Sequence, residues 1–71
     1  MPTDPRPYSI VVRGRLGSEL DAMLAGISRE QRNGCTELRA PAIDQAALYG
    51  LLLRLRDLGA ELVSVNRIAA S

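Results

Sequence analysis

Ser28-Arg29-Glu30-Gln31-Arg32-Asn33-Gly34-Cys35-Thr36-Glu37-Leu38-Arg39-Ala40 is the stretch whose reading decides the fold. Asn33-Gly34 is the strongest short hairpin signal, because a tight two-residue turn needs positive φ at both positions. After it, Thr36, Leu38 and Ala40 alternate with Cys35, Glu37 and Arg39, the period of a half-buried strand. Before it, residues 28–32 are wholly polar. Taken alone they read as loop; paired across Asn33-Gly34 they read as a charged edge strand, since charge blunts an unpaired edge.

Downstream of the hairpin, Pro41 is expected to end the pairing and Asp44 to cap a helix. Ala47, Leu48, Leu51, Leu52, Leu55 and Leu58 form its apolar stripe, and Gly59 is a natural residue just past its end. Glu61 to Ile68 follows as a last strand. Val63 and Val65 fall on its helix-facing side, and Leu62, Ser64, Asn66 and Ile68 on the other. Upstream, Tyr8, Ile10, Val12, Gly14 and Leu16 alternate with Ser9, Val11, Arg13 and Arg15, which reads as a first strand over 8–16. Gly17-Ser18 breaks it. Ser18 with Asp21 resembles a helix N-cap, and Leu20, Met23, Leu24 and Ile27 lie at helical spacing.

The resulting order, β-α-β-β-α-β, predicts an α+β chain: a ferredoxin-like split βαβ sandwich with two helices on one face of a four-stranded antiparallel sheet. Its first and third strands would be central, its second and fourth at the edges. Residues 8–68 form the single domain. Residues 1–7, with three of the four prolines, read as an extended arm, and 69–71 as a frayed tail.

Length and composition restrict function more than they assign it. At 71 residues the chain holds one small domain, which buries about 60% of its unfolded surface and needs help to be stable. The usual helpers are disulfides, a metal or oligomerisation. One Cys and no His set aside the first two and any histidine-dependent catalysis. No metal or cofactor is expected. All nine basic residues are Arg, and Phe and Trp are absent, the bias a GC-rich genome produces. A pI near 8.0 is mild for a dedicated nucleic-acid binder. The N-terminus has no apolar run, and no stretch approaches the roughly 20 apolar residues of a membrane span, so the reading is cytoplasmic with Cys35 reduced.

Val12-Arg13-Gly14-Arg15-Leu16-Gly17, Asp44-Gln45-Ala46-Ala47-Leu48-Tyr49-Gly50 and Leu55-Arg56-Asp57-Leu58-Gly59-Ala60-Glu61-Leu62-Val63 together resemble a recurring type of short, uncharacterised actinobacterial protein. The resemblance spans most of residues 8–68 and carries no catalytic motif; it implies a GC-rich bacterial source and no particular activity.

Three function classes are compatible with a domain of this size. For an enzyme, Val12 to Ser18 only faintly resembles the phosphate loop of acylphosphatases: it is too short, and no Arg follows at the helix start. Gly14 and Gly17 read more simply as a strand irregularity and a turn, Ser18 as a cap. Cys35 has no visible activating partner. For RNA binding, the third strand lacks the aromatics on which an RNA-recognition motif stacks bases. Arg13, Arg15 and Arg39 could engage phosphate from the sheet's open face, or form cross-strand ion pairs there. For association, Tyr49, Leu53 and Arg56 form a second stripe on the helix; Leu53 lies about 140° from Leu48 around the wheel, so both cannot face one sheet. Val11, Leu62 and Ile68 would form an apolar strip on the open sheet face. The sequence therefore favours a non-catalytic interaction module, a homodimer or an accessory subunit of an unidentified protein. The alternative is a regulatory domain that senses a small ligand at a dimer interface; weak RNA binding comes after both.

Overall fold

In the computed structural model, which describes residues 5–14, 16–18, 21–22, 24 and 26–68, the hairpin forms where its turn chemistry places it. Asn33 and Gly34 take φ of 50° and 79°, the left-handed pair that lets two strands meet in a tight turn. The strands are β2 (Ser28–Arg32) and β3 (Cys35–Ile43), paired antiparallel with Arg32 opposite Cys35. A first strand, β1 (Arg6–Arg13), and a last, β4 (Glu61–Arg67), complete one antiparallel sheet in the order β2-β3-β1-β4. β1 and β3 are thus central, and the polar β2 and β4 are the edges.

Two boundaries differ from expectation. β1 starts at Arg6 and stops at Arg13, because Gly14 turns with φ of 86°. β3 runs through Pro41 to Ile43, where Ile43 pairs with Arg6 beyond an irregularity between Arg6 and Tyr8. A proline removes one donor from the ladder, and an irregular rung tolerates that loss.

α1 (Gln45–Asp57) carries the chain from β3 back to β4. Asp44 caps it, its carboxylate accepting from Ala47 N at 2.7 Å. At the other end Gly59, with φ of 80°, allows two closing bonds: Gly59 N to Arg56 O at 2.9 Å and Ala60 N to Leu55 O at 2.9 Å. Leu48, Leu51 and Leu55 are its buried face. Leu58, expected in the apolar stripe, sits at the C-cap, half exposed.

The two-helix sandwich is overturned, and with it the ferredoxin-like fold class. Among the described residues α1 is the one α-helix. Between β1 and β2, the described backbone bonds link Asp21 N to Ser18 O, Leu24 N to Asp21 O and Ile27 N to Leu24 O. Each bond spans three positions, the spacing of a tight turn and not of an α-helix. A two-turn helix gains little by itself, because nucleation is costly and few bonds follow it. Here Gly26 takes φ of 80°, and Arg29 on β2 holds the segment by donating to Leu16 O at 3.1 Å and to Asp21 at 2.8 Å. Leu24 is buried, and Leu16 and Ile27 pack against the core, so the segment covers apolar surface as a strap. Leu20 and Met23 of the expected helix lie outside the described residues.

The core lies on one side of the sheet: Ile10 and Val12 from β1, Leu38, Ala40 and Ile43 from β3, Leu48, Leu51 and Leu55 from α1, and Leu24 from the strap. Thr36 is the buried polar residue among them; its hydroxyl donates to Gly14 O at 2.7 Å, while Gly14 N donates to Gly34 O. The end of β1 is thereby tied to the hairpin turn.

Leu38→Ala should cost about 2–5 kcal/mol, because it empties the centre of this core. Asp44→Ala should cost about 1 kcal/mol, the typical loss of a cap. Urea denaturation of both variants checks the order. Equal costs would show that helix capping, and not burial against the sheet, dominates stability.

Candidate functional site

The two faces of the sheet divide the candidate residues. On the face away from α1, β1 presents Ser9, Val11 and Arg13 opposite Arg39, Glu37 and Cys35 of β3. Here the expectation that Arg13 and Arg39 share a face beside Glu37 holds in the register. Arg15, the third arginine of that group, lies outside the described residues. The arginines carry carboxylate partners: Arg13 to Glu61 at 3.3 Å, Arg39 to Glu37 at 3.4 Å, and Arg32 of β2 to Glu30 at 2.7 Å. Such exposed pairs contribute little to stability, but they neutralise the charge that a phosphate backbone would need.

Glu37 sits at the middle of this face, directly opposite both Val11 and Glu30. The Ser9 hydroxyl donates to its carboxylate at 2.8 Å, and Arg39 adds a hydrogen bond and charge, with Arg32 further off. Together they hold the Glu37 carboxyl below the ordinary carboxylate value, against partial desolvation.

The expected apolar strip on this face does not form, because β4 carries a bulge. The register passes from Val11–Ser64 to Val12–Leu62, leaving Val63 as the extra residue. Residues directly opposite in a ladder share a face, so Leu62 follows the buried Val12 to the α1 side. Val63, expected to face the helices with Val65, is half exposed; Val65 opposes Ile10 and packs against the core. Val11 is left among Ser64, Ser9 and Glu37. Ile68 stands just past β4, its N–H bonded to Pro7 O at 2.9 Å.

With Leu62 turned inward, an apolar groove of about 620 Å³ opens between α1 and β4. Tyr49, Leu52, Leu53, Leu55, Arg56, Ala60 and Leu62 line it. The structure thus brings together Tyr49, Leu53, Arg56 and Leu62, which the sequence placed on two separate surfaces. Tyr49, Leu53 and Leu62 are 55%, 52% and 50% exposed, a large apolar display for so small a chain. Gln45 donates to the Tyr49 hydroxyl at 3.0 Å and steadies the ring at the groove's rim. The lining holds no carboxylate or thiol, so it offers surface burial and no acid–base pair. Sequence reasoning missed Leu52 and Leu55 as groove walls, having given them wholly to the core, and Ala60, which is drawn in by the Gly59 turn. Among the described residues no cluster of His, Cys, Asp or Glu suited to a metal is found, and no helix is long and apolar enough to cross a membrane.

A family model described as Domain of unknown function (DUF8691) matches residues 7–66. No curated protein and no solved structure matches the chain.

Because Glu37 titrates lower in the folded chain than unfolded, its contribution to stability is present above the ordinary carboxylate value and is lost as pH falls through the lowered one. Ser9→Ala should move the Glu37 midpoint upward in an NMR pH titration. An unchanged midpoint would assign the shift to the arginines alone.

Proposed function

The chain belongs to the DUF8691 family, whose description assigns no activity, and we propose that it is a non-catalytic association module that works by burying the groove between α1 and β4. The observation that carries this reading is the half exposure of Tyr49, Leu53 and Leu62 around one concave apolar surface. Aromatic residues and Arg are enriched where proteins meet, and Arg56 supplies the polar rim. Small domains gain stability from association, and this one has nine buried hydrophobic residues among those described. The biological setting inferred with it is the cytoplasm of a GC-rich actinobacterium, supported by the all-Arg basic complement.

The ligand-sensing reading has one observation in its favour. About 620 Å³ falls within the range of small-molecule sites, and an almost wholly apolar lining would suit an apolar ligand. It asks more of the chain than simple association, because few polar groups converge on the groove to fix a ligand's orientation. RNA binding is weakened by the carboxylate partners of Arg13, Arg32 and Arg39.

A photo-crosslinking residue at position 53 should give one defined adduct in a lysate of the source cells, lost when Leu62→Glu is added. The same residue at position 31, on the exposed edge strand β2, should give none. Equal yields at 53 and 31, or an adduct that survives Leu62→Glu, would defeat the association reading; circular dichroism confirms that the variants stay folded.

A further inference from the structure

We infer that the occupant of the groove is an amphipathic acidic helix of a partner protein, lying beside α1 and over β4 with its carboxylates toward Arg56 and Arg67. The inference rests on the association reading above and names the chemistry of the partner. α1 buries Leu48, Leu51 and Leu55, and its next flank, with Tyr49, Leu52 and Leu53, overhangs the groove. Packed helices lie about 8–10 Å apart and neighbouring strands about 5 Å. A second helix set against that flank therefore stands over β4, where Leu62 faces it from the sheet. An added strand fits less well. β4 is an edge of the sheet, but the extra residue at Val63 interrupts the row of backbone groups that a new strand would need.

The charges along the groove select the sign of the partner. Arg56 is the one charged residue in its described lining. Arg67 stands opposite Tyr8, which packs against the core, so it shares the α1-facing side of β4 with Leu62 and Val65. It makes no ion pair with the described residues. Tyr8 and Val12, opposite Arg67 and Leu62, are four residues apart on β1, which sets Arg67 about 13 Å along the strand from Leu62. A helix covers that distance in roughly two and a half turns.

The nearby carboxylates are engaged elsewhere. Asp44 accepts from Ala47 N, and Glu61 lies on the opposite face of the sheet with Arg13. Asp57 approaches Arg56 only to 3.7 Å, between two exposed side chains, and such a contact holds Arg56 weakly. A basic helix in the groove would meet two like charges, whereas an acidic one pairs with both.

Peptide binding to the full chain, followed by fluorescence anisotropy, tests this. The probe is a fluorescein-labelled helical peptide with leucines at i, i+3, i+4 and i+7 flanked by glutamates; its twin has lysine in place of every glutamate. The acidic peptide should bind saturably and about tenfold more tightly than its twin at low salt. Arg56→Glu combined with Arg67→Glu should remove that preference, Leu62→Ser should weaken both peptides alike, and a central proline in the acidic peptide should abolish its binding. Circular dichroism checks that the variants stay folded. No saturable binding of the acidic peptide overturns the inference, as do equal affinities for the twins, a preference that survives the double variant, or a proline peptide that binds as well as its parent. Sedimentation equilibrium supplies the remaining outcome: self-association lost on Leu62→Ser would put a second copy in the groove and exclude the acidic helix. If the acidic helix is excluded while position 53 still gives its Leu62-dependent adduct, the association reading stands; if that adduct is absent too, both fall.

Discussion

A helix about 10 Å wide has to cover one face of a sheet whose outer strands lie about 14 Å apart, and this mismatch shapes the rest of the molecule. β1 and β3, at the centre, are covered completely: Ile10, Val12 and Leu38 have no exposure. Toward β2 the deficit is met by the strap between β1 and β2, which brings Leu16, Leu24 and Ile27 over the core and is held there by Arg29. Toward β4 the described residues provide no such cover. The groove is the uncovered part of the sheet: Leu62 enters it from the α1-facing side of β4, and Tyr49 and Leu53 from the flank of α1 beside its buried face.

Local chemistry was legible where one or two residues dictate a backbone conformation. Asn33-Gly34 determined the hairpin, Asp44 the start of α1 and Gly59 its end, and each stands where the residues place it. The order of central and edge strands also followed from which stretches were apolar and which charged. The segment after β1 was misread because helical spacing and a capping Ser describe only a preference. Over two turns that preference is small compared with the hydrogen bonds of Arg29, a residue on another element.

The candidate surface was half legible for a different reason. Tyr49, Leu53 and Arg56 read as a stripe that cannot face the sheet together with Leu48, and Tyr49 and Leu53 are half exposed where Leu48 is buried. Leu62 was assigned to the wrong face because strict alternation was carried through β4, and nothing in Leu62-Val63-Ser64 announces an extra residue. A bulge is set by how one strand lies on its neighbour. Its effect reverses the facing of every residue beyond it, so one unannounced residue dissolved the expected strip on the open face and built the groove.

The bulge also separates what the molecule is from what its surface does. Val65, on the regular part of β4, packs against the core opposite Ile10, whereas Leu62, beyond Val63, serves only the groove. Insertions and deletions are rare in strand interiors because they displace buried side chains; at Val63 the displaced residues are exposed. Removing Val63 would leave Ser64 opposite Val11 and Leu62 opposite Val12 in plain alternation, so the groove wall is set by the register of β4 and not by the extra side chain, and the buried centre does not depend on either.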